Sequence, residues 1–222
     1  MKFKADGPPA IPLWINGHAY LTVSAHFADV CDVQSGDVLR RVPLCGTDEA
    51  LAAGAAAEAA LPDWAGLSVG ERQGYLQALA AELEKYASHF AGLLQQECGG
   101  DAASANAEVA VAVAALTAGR VGQGGTAALA LSATRPLATV AEALTPVLLA
   151  GGALVCKPDP KAPSAVLALC ELSARVGWPA GVLNLVHGDC DMLGALAATD
   201  IERLLGASDA EQEIWQTIRS RQ

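Results

Sequence analysis

Aromatic side chains are scarce in this chain, at 5% of its 222 residues. A thick aromatic core is excluded, and the abundance of alanine favours closely packed helices instead. Basic residues are also few: 14 Lys and Arg face 24 Asp and Glu, a net charge of −10. So acidic a chain repels phosphate backbones and anionic lipid heads, which argues against nucleic acid and membrane surfaces as partners. Charged residues reach only 17% while apolar ones reach 52%, too apolar a balance for a disordered or fibrous chain. Cys-x-x-Cys pairs are lacking. The cysteines (Cys31, Cys45, Cys98, Cys156, Cys170 and Cys190) mostly sit in apolar runs. They are expected to be reduced, mostly buried thiols of a cytoplasmic protein, with no zinc spacing to a histidine. No apolar run follows Met1 to Asp6, which leads into Gly7-Pro8-Pro9, so no signal peptide is expected. The most apolar stretch, Ala143 to Cys156, is too short to span a bilayer and contains Pro146 and Gly151-Gly152.

What is present is a change of period along the chain. Residues 1–46 read as a small antiparallel β-meander: Leu13-Trp14-Ile15, the turn dipeptide Asn16-Gly17, then alternating runs at Phe27 to Val33 and Val38 to Leu44. Residues 47–118 read as helical. One alanine-rich helix follows Thr47 and is stopped by Pro62. Ser68 and Glu71 form a capping box opening a long helix with Leu76, Leu79, Leu83, Tyr86, Phe90 and Leu93 on one face, ended by Gly99-Gly100. A further helix, Asp101 to Ala118, packs small residues around Glu108. Residues 119–135, rich in Gly, Ala and Thr, show no firm pattern and read as a shortened linker. From 136 to 222 short apolar runs at Ala153, Val182 and Ile201 alternate with helices, the signature of a parallel sheet with right-handed crossovers.

Several of these segments, in order, resemble the N-terminal half of an aldehyde dehydrogenase, the NAD(P)-dependent superfamily. Leu13 to Gly17 is similar to the family's "INGE" strand, and Val33 to Val38 to its "NPATGEV" turn. Trp64, Ser68, Glu71-Arg72 and Leu76 match "W…S..ERA..L", and Glu97 to Gly100 match "E.GK". Val155-Cys156-Lys157-Pro158 matches "VVLKPSE", Trp178 to Asn184 matches "LPPGVLNVV", and Leu205-Gly206-Ala207-Ser208 stands where "FTGS" is expected. The resemblance implies an α/β fold: a Rossmann-like parallel sheet flanked by helices, with the meander and long helices of that half, as a single truncated unit over 1–222.

It also implies what to look for chemically. Family catalysis uses a cysteine nucleophile, a glutamate base and an oxyanion asparagine. The first two belong to segments beyond the "FTGS" helix, in which this chain ends, and no "PWNFP" loop with the asparagine is expected before Pro136-Leu137-Ala138. Cys190 after His187-Gly188-Asp189 is the only Cys–His proximity, read as an ordinary strand-to-helix loop. The family holds its cofactor's ribose with the lysine and glutamate of "KPSE" and its pyrophosphate near the "FTGS" helix. The corresponding vestigial cofactor residues are Lys157, Asp159, Gly206 and Ser208, with Pro160 replacing the glutamate. Ser208 and Glu211 form a capping box at the start of the last helix, where Asp209, Glu211 and Glu213 crowd, and one like-charge contact at ~4 Å costs about 4 kcal/mol at an effective dielectric of about 20. No cofactor is therefore expected, NAD or NADP being the alternative. The expectation is a pseudoenzyme, an accessory, assembly or regulatory protein. Its partner is a second copy or a full-length oxidoreductase; the Ile214, Trp215 and Ile218 stripe of the last helix packs either on its own sheet or against that second copy. The alternatives are a nucleotide-binding protein and a residual aldehyde dehydrogenase.

Overall fold

Local chemistry sets the first elements. Asn16 and Gly17 both take left-handed backbone conformations, φ 55° and 76°. They close a tight hairpin between β1 (Leu13–Ile15) and β2 (His18–Tyr20). The computed structural model describes residues 7–221, so the segment Met1 to Asp6, read as lacking a signal peptide, lies outside the described residues. Next come β3 (Phe27–Cys31) and β4 (Val38–Pro43), paired antiparallel. The N-terminal strands do not form one meander. β1 is buried along its whole length and needs cover on both faces, so it joins the main sheet beside β7, while the half-exposed β3–β4 pair stands apart as a two-stranded sheet.

The helices follow as α1 (Thr47–Gly66), α2 (Val69–Lys85), α3 (Ala87–Cys98) and α4 (Ala102–Thr117). Ser68 caps α2 as its sequence suggests, its Oγ accepting from Glu71 N at 3.2 Å while Glu71 takes Ser68 N at 2.8 Å. Pro62 does not stop α1, which runs four residues further. Trp64 explains this. Its ring is fully buried beside Tyr75 and Trp178, and its indole N–H donates to Leu148 O at 3.0 Å, anchoring the last turn. The long helix expected after Ser68 is broken at Tyr86 into α2 and α3.

The remaining elements are β5 (Thr126–Ala130), α5 (Pro136–Leu149), β6 (Ala153–Lys157), α6 (Ser164–Arg175), β7 (Leu183–Leu185), α7 (Cys190–Ala197), β8 (Arg203–Leu205) and α8 (Asp209–Arg219). The stretch 119–135 is thus not a linker. It holds β5, buried at all five positions between β6 and β8. Its sequence, Thr-Ala-Ala-Leu-Ala, has little strand propensity, and it is the sheet on both sides that makes it extended. The preceding glycines are tied down by Arg203, whose guanidinium donates to Gly124 O and, at 2.6 Å, to Gln123 O. Arg203→Met is expected to cost about 1–3 kcal/mol in urea unfolding, because it strips donors from two carbonyls at once. An unchanged midpoint would show that the segment holds itself.

The sheet order is β2-β1-β7-β6-β5-β8, with β5 to β8 parallel and β1 and β2 antiparallel. Alternate strand residues feed two apolar layers. Leu129, Leu154, Cys156 and Leu185 face α2 to α6, and Ala128, Ala130, Val155 and Val186 face α1, α7 and α8. The second layer takes in Trp215, 5% exposed, with Ile218 against it, so the terminal-helix stripe packs on its own sheet. The β3–β4 pair is docked by Glu97, which is buried, pairs with Arg40 and accepts from Ser164 N at 3.0 Å.

Candidate functional site

In the parallel part of the sheet, the chain leaves β5 in one direction through β6 and β7. It then returns on the other side of β5 as β8. The loops after β5 and β8 therefore diverge at the carboxyl ends of the strands, the place where open α/β sheets leave a crevice. A cleft of about 530 Å³ lies there, of a size typical for small-molecule sites. Lys157, Asp159, Gly206 and Ser208, four residues far apart in the chain, all line it, together with Asp189 and Glu211.

Each arrives for a local reason. Lys157 ends β6, and its carbonyl is pinned by Leu131 N at 3.0 Å. The residue is only 6% exposed, but its ammonium is not among the buried atoms left without a partner, so it reaches the water of the cleft. Among the described residues it makes no ion pair. Asp159 is spent on its own turn, its carboxylate accepting from Lys161 N at 2.9 Å. Gly206 has φ 69°, and a Cβ there would sit 2.5 Å from Ala130 O, so only glycine lets the β8 loop close on β5. Ser208 caps α8. Glu211 reaches back, its carboxylate accepting from Ser208 N and from Ser208 Oγ, both at 2.8 Å.

Cys190 also borders this cleft, but it forms no dyad with His187. The His187 ring is buried on the other side of its loop, Nε2 donating to Pro12 O at 3.0 Å and Nδ1 unpartnered among the described residues. Burial holds this imidazole down at about 4, so it is neutral at physiological pH. Burial pushes the Cys98 thiol up to about 12, with Glu108, Glu97 and Asp159 adding to it, and burial raises Cys156 and Cys170 as well. Among the described residues no cluster of three or more His, Cys, Asp or Glu is placed to hold a metal. None of the described helices is long and apolar enough to cross a membrane.

A second feature was hidden from sequence reading. A loop does precede α5: residues 131–135 link it to β5, with Arg135 in a left-handed conformation at φ 53°. Glu108 of α4 lies under this loop and accepts from Leu137 N at 2.9 Å and Ala138 N at 3.2 Å, capping α5 from outside. Burial raises its carboxyl, and these two amides oppose that. The signal available was a lone carboxylate in a helix of small residues; its partner was not legible.

The family comparisons agree with this architecture. A family model described as the aldehyde dehydrogenase family matches residues 21–121 and 134–205. Succinate-semialdehyde dehydrogenase [NADP(+)] GabD of Escherichia coli is 30% identical over 203 residues, 81% of this chain and 42% of that protein. N-succinylglutamate 5-semialdehyde dehydrogenase of Chromohalobacter salexigens is 31% identical over 221 residues, 89% of this chain and 44% of that one. The structure of lactaldehyde dehydrogenase from Escherichia coli superposes with a TM-score of 0.88 at 22% identity, over 97% of this chain and 50% of that chain, a likeness of fold. The chain spans less than half the length of these curated relatives. With the two matched blocks together covering well over half of its residues, the chain belongs to the aldehyde dehydrogenase family.

Proposed function

We propose that this chain is a non-catalytic aldehyde dehydrogenase-like protein that acts through a protein partner, either a second copy or a full-length oxidoreductase. The observation that carries the reading is electrostatic. Oxidation of an aldehyde through a covalent intermediate needs free donors where negative charge develops. Four helices start at this end of the sheet, and each start meets a carboxylate: α5 Glu108, α6 Glu97, α7 Asp189 and α8 Glu211. Negative charge brought to any of them meets negative charge. The raised thiols of Cys98 and Cys156 make poor nucleophiles.

The partner is supported by the sheet edge. Among the described residues β8 pairs only with β5 and is an edge strand, open to an added strand apart from Leu204 O, which accepts from Gln212 Nε2 at 3.4 Å. One observation favours a second reading, a dinucleotide-binding protein: Lys157, facing the cleft with no ion pair among the described residues. Two measurements decide. Purified protein given NAD+ or NADP+ with a panel of aldehydes is expected to form no reduced cofactor above the blank. Size-exclusion chromatography with light scattering is expected to give a mass above that of one chain, alone or with an added oxidoreductase. Aldehyde-dependent reduction, or a monomer that ignores the oxidoreductase, overturns the reading.

A further inference from the structure

The family's cofactor is an anionic dinucleotide, and the cleft suits only part of it. At one end, the Lys157 ammonium offers three donors and has no acceptor among the described residues. Leu131, Pro160 and Ala207 give this cleft apolar walls against which a flat ring can lie. At the other end, the donors of Ser208 at the start of α8 are already used. Its N–H and its hydroxyl both go to Glu211. Asp159 and Asp189 border the same space, so three carboxylates and one ammonium line the cleft. A diphosphate placed there gains one attraction and meets three repulsions in a partly desolvated cleft.

An uncharged ligand with hydroxyl groups avoids this conflict. Its oxygens accept from Lys157, and its O–H groups donate to Asp159 and Asp189, which border the cleft. We infer that this cleft has changed ligand class, and takes an uncharged, hydroxyl-bearing ligand of nucleoside size in place of a dinucleotide. The inference deepens the non-catalytic reading and rests on it, since such a ligand carries no hydride acceptor.

Calorimetry on the whole chain with adenosine, AMP and NAD+ tests it. Adenosine is expected to bind at least about tenfold more tightly than AMP or NAD+, a difference of about 1.4 kcal/mol. Glu211→Gln keeps the cap of α8, since glutamine serves in a capping box. It is expected to tighten NAD+ and AMP while leaving adenosine unchanged. Lys157→Met is expected to abolish adenosine binding without lowering the melting temperature. NAD+ binding as tightly as adenosine, no heat with adenosine, or an E211Q protein with unchanged NAD+ affinity overturns the inference. Aldehyde turnover with the adenosine preference intact removes the non-catalytic reading alone; lost preference without turnover removes the ligand assignment alone.

Discussion

Replacing Arg72 by methionine is expected to lower the unfolding free energy by about 3–5 kcal/mol, the range seen when a buried charged partner is removed. Arg72 is 6% exposed, and among the described residues it has no carboxylate in reach. Its guanidinium instead serves carbonyls. Nε donates to Leu149 O at 3.0 Å, and Nη1 to Trp64 O and Ala65 O, both at 3.2 Å, and to Leu67 O. These carbonyls belong to the ends of α1 and α5, where helices leave acceptors unsatisfied and the dipole is negative. One side chain therefore neutralises two helix C-termini and ties them together. Methionine fills most of the volume but donates nothing, so several buried carbonyls lose their partner at once. Arg72→Lys is expected to recover only part of the loss, because a single ammonium cannot span the fork. Urea unfolding of the three proteins measures this. A loss under about 1 kcal/mol for the methionine variant, the size of an ordinary surface change, would mean that water replaces the guanidinium.

Acid is expected to destabilise the chain through His187 well before the ordinary carboxylates are neutralised. The ring is 1% exposed and held at about 4, against 6.5 for an unperturbed histidine. The folded value lies below the unfolded one, so between these two pH values the unfolded chain binds a proton that the folded chain refuses. The stabilisation is complete above pH 6.5 and is lost as pH falls towards 4, by about 3 kcal/mol in all. Glu97 and Glu108 work against this trend, since burial raises both and lets the folded state take up protons as pH falls. A difference between two proteins separates the contributions. His187→Gln keeps a donor for Pro12 O and removes the titration, so its stability is expected to fall less than that of the unsubstituted chain between pH 7.5 and pH 5. Parallel pH dependences in the two proteins would show that the buried imidazole does not titrate on unfolding.

Much of the fold was legible because its elements announce themselves locally. Ser68 with Glu71 and Ser208 with Glu211 are caps that work through three residues of sequence, and both form as read. The apolar runs at Ala153 and Val182 sit between helical periods and become buried parallel strands. β5 escaped notice because nothing within its own residues favours extension; β6 and β8 impose it. Pro62 misled for the converse reason, since the buried Trp64 holds the helix beyond the proline. The site divides the same way. Lys157, Asp159, Gly206 and Ser208 were recognisable from short motifs, yet the exclusion of a Cys190–His187 dyad needed the buried orientation of the ring.

By itself, the sequence determined the family, the alternation of strands and helices and the caps, because these depend on residues within a turn or two of each other. Only the tertiary structure decided that β1 joins the main sheet, that β5 exists, and that Glu108 closes the start of α5. Those outcomes depend on which surfaces meet and which polar groups lose water, and such contacts form between residues with no pattern in common along the chain.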